Sequence, residues 1–322
     1  MTKPYTVIET FAGGGGSSLG HQQAGGKVLL AVEYDDNAAK TYRANFPTTP
    51  LFHGDIANLT GEECCELVGI KPRELDIFSG SPPCQGFSTS GKRQFHDTRN
   101  QLFKEYVRLL RHLQPKTFLM ENVGGMVTGK MKLIFVECLR ELKASGYKVK
   151  ARLLNAACYG IPQARKRLIF IGVRNDLNIE PSHPKPTGPI VSIMEAIEGA
   201  DTSGTPSLSK RYFDMYHQVP WGGNASDVMK TGTHFSDCIR PHPMKPCCTL
   251  PKMQTGKGFA TICHPHEPRS LSIGEAKRIQ TFPDDFQLFG SFSTQWARIG
   301  NSVPPLLMQK IAEHVNKTVL TA

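Results

Sequence analysis

Cys84 is the residue whose setting first demands a chemical explanation. It lies within DIFSGSPPCQGFSTSGKR (Asp76 to Arg93), past a short apolar run that reads as a buried strand, on a turn stiffened by Pro82 and Pro83. A cysteine is ordinarily a small core residue, and that reading is kept for the other eight of the nine. A thiol on an irregular Pro-, Gly- and Ser-rich segment beyond a strand end has the access a nucleophile needs. Glu121, in MENV at the end of another apolar strand, is the second such residue. An unpaired carboxylate there is costly to ionise, so its pKa is expected to rise. A carboxyl group that keeps its proton near neutral pH can donate it. The third feature is FAGGGGSSLG, where Phe11 and four glycines, Gly13 to Gly16, follow a strand. Glu33 stands about 20 positions beyond that turn, the spacing of a carboxylate that accepts ribose hydroxyls. The spacing suits any adenosine-bearing cofactor and does not separate a nicotinamide dinucleotide from S-adenosylmethionine. A thiolate and an acid beside such a cofactor suit attack on an electron-poor ring, the acid neutralising the charge that develops.

These residues need a frame that brings them together. YTVIETF, VLLAVE, the run ending at FHGDI, LDIFSG, TFLMENV and RLIFIGV read as strands, alternating with helical patterns such as LFKEYVRLLRHL and LIFVECLRELKASG. That alternation predicts an α/β fold with a mostly parallel sheet and crossover helices. The carboxyl ends of the strands then carry Phe11 with the glycines, Glu33, Asp55, Cys84 and Glu121. Ligands of open parallel sheets bind in the crevice beyond those ends. Taken singly, Glu33 and Asp55 would be read as helix caps or surface acids; the convergence is what argues for a site.

Composition narrows the class. With 322 residues, 39% hydrophobic and 20% charged, the chain is an ordinary globular one, long enough for a large domain and a smaller one. No apolar run approaches the roughly 20 residues of a membrane helix, and MTKPYTVIETF lacks the parts of a signal peptide. A cytoplasmic location is expected, with reduced cysteines, since no secreted framework spacing occurs. The formal charge of +10 suits a polyanionic partner.

In order, FAGGGGSSLG, GSPPCQGFS, ENV, QARKR (Gln163 to Arg167) and GNSVPP (Gly300 to Pro305) resemble the motifs of the bacterial-type DNA cytosine-C5 methyltransferases, from Phe11 to Val303. The resemblance implies a Rossmann-like S-adenosylmethionine-dependent catalytic domain, residues 1–174 completed by 298–322, and an irregular target-recognition domain, residues 175–297. It implies that Phe11, Ala12, Gly13, Gly14, Gly15, Gly16, Glu33, Asp55, Ile56, Pro83, Leu102, Asn301 and Ser302 bind S-adenosylmethionine, which leaves as S-adenosyl-L-homocysteine. Cys84 is implied as the nucleophile at cytosine C6, Glu121 as the contact to N3, Arg167 as the donor to O2, and Arg165 as a supporting contact. Double-stranded DNA is the implied partner, of an enzyme expected to be a monomer. Ser88, Ser90, Lys92, Arg93 and Arg99 would contact DNA from a lid. Thr249, Lys252, Gln254 and Lys257 would do so from CCTLPKMQTGKGFATI (Cys247 to Ile262). Two positions depart from the family pattern, Gly274 where arginine is common and Thr281 where glycine is common, and leave local packing open.

Cys238, His242, Cys247, Cys248, Cys263, His264 and His266 could suggest zinc. The absence of paired C-x-x-C spacing and the interrupting prolines argue against a metal. A transfer-RNA cytosine methyltransferase, a catalytically silent DNA-binding regulator and a nicotinamide dehydrogenase are the alternatives, the last leaving the thiol loop unexplained. The target site, and whether a cognate restriction endonuclease is a functional partner, are not legible.

Overall fold

The computed structural model describes residues 4–83, 101–228, 238–254 and 261–321. They form two compact units. The first holds the chain up to Leu154, Lys166–Lys185 and the chain from Met308; the second holds Asn155–Arg165 and Pro186–Leu307.

Nine strands occur among the described residues: β1 (Tyr5–Thr10), β2 (Gly26–Glu33), β3 (Leu51–His53), β4 (Ile77–Gly80), β5 (Thr117–Val123), β6 (Tyr147–Asn155), β7 (Gln163–Ala164), β8 (Lys166–Arg174) and β9 (Cys247–Cys248). Seven build the sheet of the first unit in the order β3-β2-β1-β4-β5-β8-β6. β1 to β5 run parallel to one another, and β8 is antiparallel to β5. The fold is α/β with a mixed, mostly parallel sheet. Sequence reading does not anticipate β6, whose YKVKARLLN alternates with Lys148, Lys150 and Arg152. Charges of that kind guard a sheet edge against pairing with another chain.

Helices α1 (Gly16–Gln23), α2 (Asp36–Asn45), α3 (Gly61–Val68), α4 (Gln101–Leu113) and α5 (Lys132–Ala144) belong to this unit. Local chemistry starts them: Asp35 Oδ1 accepts from Ala38 N at 2.8 Å at the head of α2, and Thr60 with Glu63 forms a capping box on α3. α4 buries Phe103, Tyr106, Val107, Leu109, Leu110 and Leu113 in a core shared with Ile8, Phe78, Phe118 and Phe170. Each such side chain contributes about 1.5–3 kcal/mol. Gly172 pairs with Phe118 across β5 and β8, and the Phe118 ring occupies the space a Cβ there would need.

In the second unit β7 pairs with β9 in parallel. Helices α6 (Ile193–Ile197), α7 (Lys210–Tyr216), α8 (Ile273–Ile279) and α9 (Phe292–Asn301) follow, and α10 (Pro305–Val315) runs into a π-helical turn, Asn316–Leu320. Ile193, Leu250, Ile262, Leu271, Ile279 and Trp296 form the core of this unit. Both departures from the family pattern have a local reason. Gly274 lies so close to the Asp201 backbone that no Cβ fits. Thr281 takes φ 66°, and its Oγ1 accepts from Leu306 N at 3.1 Å. Residues 155–165 pack with the second unit, unlike the boundary at 174 expected from sequence, because Gln163 and Arg165 bond to residues of that unit.

Candidate active site

A pocket of about 230 Å³ opens beyond the ends of β1, β2 and β3, lined by Phe11, Val32, Glu33, Tyr34, Gly54, Asp55, Ile56 and Leu102. Five of these, Phe11, Glu33, Asp55, Ile56 and Leu102, are residues the sequence singled out. Val32, Tyr34 and Gly54 were missed. Tyr34 had a signal: it directly follows the strand-end glutamate, and it stands 74% exposed. Glu33 ties the turn together. Its Oε2 accepts from Gly13 N at 2.7 Å, while Oε1 accepts from Tyr34 N at 3.0 Å and Asp35 N at 2.8 Å. Asp55 Oδ1 accepts from Ala57 N at 2.9 Å and caps a single 3-10 turn. Asp55 thus both caps a turn and lines the pocket. Phe11 and Gly13 have positive φ, 55° and 56°. Ala12 is buried, its N–H bonded to Val32 O at 3.0 Å. Gly15, at φ 100°, precedes α1 with the Phe46 ring where a side chain would go.

The pocket suits part of an S-adenosylmethionine molecule. Whole ligand sites span about 300–1,000 Å³, so this volume fits the adenosine portion, with apolar walls and an exposed aromatic ring at the rim. Asn301 and Ser302 lie in the second unit and do not line the pocket. Asn301 is exposed at the end of α9. Ser302 Oγ donates to Arg298 O at 2.7 Å.

The second focus is a buried ion pair in the first unit. Glu121 stands opposite Ile169, and Val123 opposite Arg167, so Glu121 and Arg167 are diagonal neighbours on one face. Arg167 Nε reaches Glu121 Oε1 at 2.8 Å, with both side chains about seven-eighths buried. Arg167 Nη1 also donates to Lys166 O at 2.9 Å. Sequence suggests an unpaired carboxylate at Glu121; β8, read as a strand but without its antiparallel direction, supplies the counter-charge. Next to Glu121, Asn122 Nδ2 donates to Pro82 O at 3.1 Å. The entry to the thiol loop is thus fixed to the strand that carries the acid. Pro83 is exposed, and Cys84 lies outside the described residues, as do Ser88, Ser90, Lys92, Arg93, Arg99 and Lys257.

Two residues expected to contact substrate or DNA are bonded to backbone. Arg165 is almost wholly buried, and its guanidinium donates to Leu250 O at 3.1 Å, Gly300 O at 2.7 Å and Ser302 O at 3.1 Å. It clamps three backbone segments of the second unit. Gln254 is 1% exposed. Its Oε1 accepts from Thr261 N at 2.8 Å and Ile262 N at 3.1 Å, and its Nε2 donates to Ile262 O at 2.9 Å. The amide ties residues 261 and 262 to position 254. Thr249 and Lys252 are exposed, the Thr249 hydroxyl donating to Ala164 O at 3.0 Å. Among the described residues no group of three or more His, Cys, Asp or Glu is placed to hold a metal. His264 Nδ1 instead accepts from the amides of His266 and Glu267. Nor, among the described residues, is any helix long and apolar enough to cross a membrane.

Comparison with known proteins converges on one group. The family model described as C-5 cytosine-specific DNA methylase matches residues 5–317. The type II methyltransferase M1.HphI of Haemophilus parahaemolyticus is 37% identical, over 97% of this chain and 87% of that protein. M.XorII of Xanthomonas oryzae pv. oryzae is 32% identical, over 99% and 86%. A solved E. coli structure, described as a DNA modification methyltransferase encoded within a prophage, superposes with a TM-score of 0.78 at 27% identity, covering 99% of this chain and 100% of that one. Strand-end chemistry, the ordered motifs and these relatives agree: the chain belongs to the C-5 cytosine-specific DNA methylase family and is a DNA (cytosine-5-)-methyltransferase.

Proposed function

We propose that the chain methylates C5 of a flipped cytosine in a specific duplex site as the modification enzyme of a type II system, the role that the names of its relatives carry. The Glu121–Arg167 pair is the observation that supports this most. It sets a carboxylate and a guanidinium side by side, next to the strand residue that anchors Pro82. In the proposed mechanism the Cys84 thiolate adds at C6, which makes C5 enamine-like. Glu121 meets the N3 edge and the exocyclic amine as electron density arrives. Arg167 donates to O2 and cannot lose its charge. When bound, S-adenosylmethionine supplies an electrophilic methyl group. Phe11, Glu33, Asp55, Ile56 and Leu102 hold its adenosine, with Tyr34 as a stacking surface; Ala12–Gly16 and Pro83 would complete the site in the first unit. C5 then loses its proton and elimination frees Cys84. The ring must leave the base stack to be reached from both faces, which costs a few kcal/mol. The second unit carries target recognition, with exposed Thr249 and Lys252 among its DNA contacts.

Duplex carrying 5-fluorocytosine at the target, incubated with cofactor, tests the mechanism. A stable adduct through position 84 is expected, and Cys84→Ala should bind duplex yet transfer no methyl group. Methylation of unmodified duplex without adduct formation on the fluorinated one would refute it. Running transfer RNA in parallel decides the substrate.

A further inference from the structure

Beneath the cofactor turn lies a polar cluster for which the reaction has no evident use. Glu9, on β1, stands opposite Ser79 of β4 and Ala31 of β2. Ser17 and His21, spaced i and i+4, face it from α1. All four polar residues are at least nine-tenths buried: Glu9 1%, Ser17 7%, His21 0% and Ser79 0% exposed. Glu9 Oε2, Ser17 Oγ, His21 Nε2 and Ser79 Oγ lack a hydrogen bond of full geometry, although buried polar groups nearly always have one; the Ser17 and Ser79 hydroxyls still lie near enough to the carboxyl to favour its ionised form. His21 Nε2 approaches Glu9 Oε2 to 3.7 Å. The other titratable groups around the pair are phenols. Tyr5 of β1 contacts His21 and has Glu313 of α10 near it; Tyr42 of α2 and Tyr106 of α4 feel the Glu9 charge. Among the described residues no Lys or Arg is paired with Glu9.

We propose that Glu9 is a positioning residue for S-adenosylmethionine binding, acting as a neutral acid that holds the start of α1, through Ser17 and His21, against β1 and β4. The inference rests on the cofactor reading above and deepens it. Glu9 is two residues from Phe11, which lines the pocket, and Ser17 is the second residue of α1, directly after the glycine turn. A carboxylate at this place is buried and, among the described residues, faces no Lys or Arg. Burial pushes the carboxyl up to about 7, the neighbouring hydroxyls opposing, and burial lowers His21 to about 3. Histidine therefore does not supply the missing charge. Ionisation must be met by parting α1 from the sheet. Because the Phe46 ring blocks the other side of the turn at Gly15, the strain falls on the glycines and on Phe11.

The test measures S-adenosylhomocysteine binding by calorimetry from pH 6 to pH 8.5 in wild type and Glu9→Gln. Wild-type Kd should rise about tenfold or more over that range, because affinity falls with loss of a required proton. In Glu9→Gln it should change less than twofold. Titration of the probe is common to both proteins and cancels. Superimposable pH profiles overturn the proposal; absence of binding at every pH would instead overturn the cofactor assignment. If Glu9→Gln does not fold, infrared spectra of the wild type decide. A protonated carboxyl band, shifted by 13C-glutamate, should be present at pH 6 and fade by pH 8.5. Its absence at pH 6 refutes the neutral acid.

Discussion

Replacing Arg165 with methionine separates a clamp from a substrate contact. Met keeps much of the volume and removes the donors. Ser302 O retains the Gln280 side chain, but Leu250 O and Gly300 O lose the partners at 3.1 and 2.7 Å. Each buried carbonyl left unsatisfied costs about 1–3 kcal/mol, so the pair costs about 2–6 kcal/mol. Some of this is offset, since the variant no longer buries a guanidinium, and a net loss of about 2–4 kcal/mol is expected. With an unfolding entropy of about 2.1 cal/mol/K per residue, a chain of 322 residues loses about 1.5 °C per kcal/mol, which places the thermal transition about 3–6 °C lower. Circular dichroism melts give that shift, and methyl transfer per folded enzyme, read well below both transitions, should stay within about threefold. Arg165→Lys should fall between, because one ammonium cannot span three carbonyls. An Arg165→Met protein that melts with the wild type yet loses about a hundredfold or more in rate would show that the side chain works on substrate, and the clamp argument would be wrong.

Gln254→Ala strips the acceptor from two amides and should cost about 2 kcal/mol, with relaxed site preference when modified cytosines are mapped by sequencing; unchanged selectivity would count against a recognition role for this segment. Thr281→Val keeps the positive φ but loses the bond to Leu306 N, so urea unfolding should show a loss of about 1–2 kcal/mol. Thr281→Gly, which relieves the φ penalty as it loses the same bond, should stay within about 1 kcal/mol of wild type. Glu9, raised to about 7 from an ordinary 4.5, contributes stability that is complete below about 4.5 and is lost as pH rises through 7, about 3 kcal/mol in all. His21, lowered to about 3 from 6.5, contributes stability present above 6.5 and lost as pH falls. The two slopes oppose between 4.5 and 6.5, so wild-type urea midpoints should be flat there and those of His21→Asn should fall with rising pH; a flat profile in both would refute the assignment.

The catalytic half was legible because strand ends are. Apolar runs of four to eight residues fix where β1, β2, β4 and β5 stop, and Phe11, Glu33 and Glu121 then fall on one sheet edge without further information. β6 was missed since its alternating Lys and Arg imitate a solvated segment, and the reversal of β8 leaves no mark in the sequence of β8 itself. The second unit was harder to read for a different reason. Whether Gln254 meets water or three backbone groups depends on where residues 261 and 262 return, and nothing local to position 254 encodes that. Glu9 hid in the same manner, as a polar residue inside an apolar run, the one pattern in which residue type conflicts with burial.

The Q-x-R-x-R stretch shows how far spacing can be trusted. In an unbroken strand, residues two apart share a face, which would send Gln163, Arg165 and Arg167 to a common site. Here the strand is broken. Gln163 ends up in β7, Arg167 in β8, and between them Arg165 N bonds back to Gln163 O at 2.9 Å in a tight turn. The guanidinium of Arg165 is thereby delivered to Leu250, Gly300 and Ser302, and that of Arg167 to Glu121. Two arginines in one motif acquire different work, one holding the second unit together and the other facing the carboxylate. The motif is better understood as a joint than as a row of substrate contacts, because the break that parts the two side chains also hands the chain from one unit to the other at residue 166.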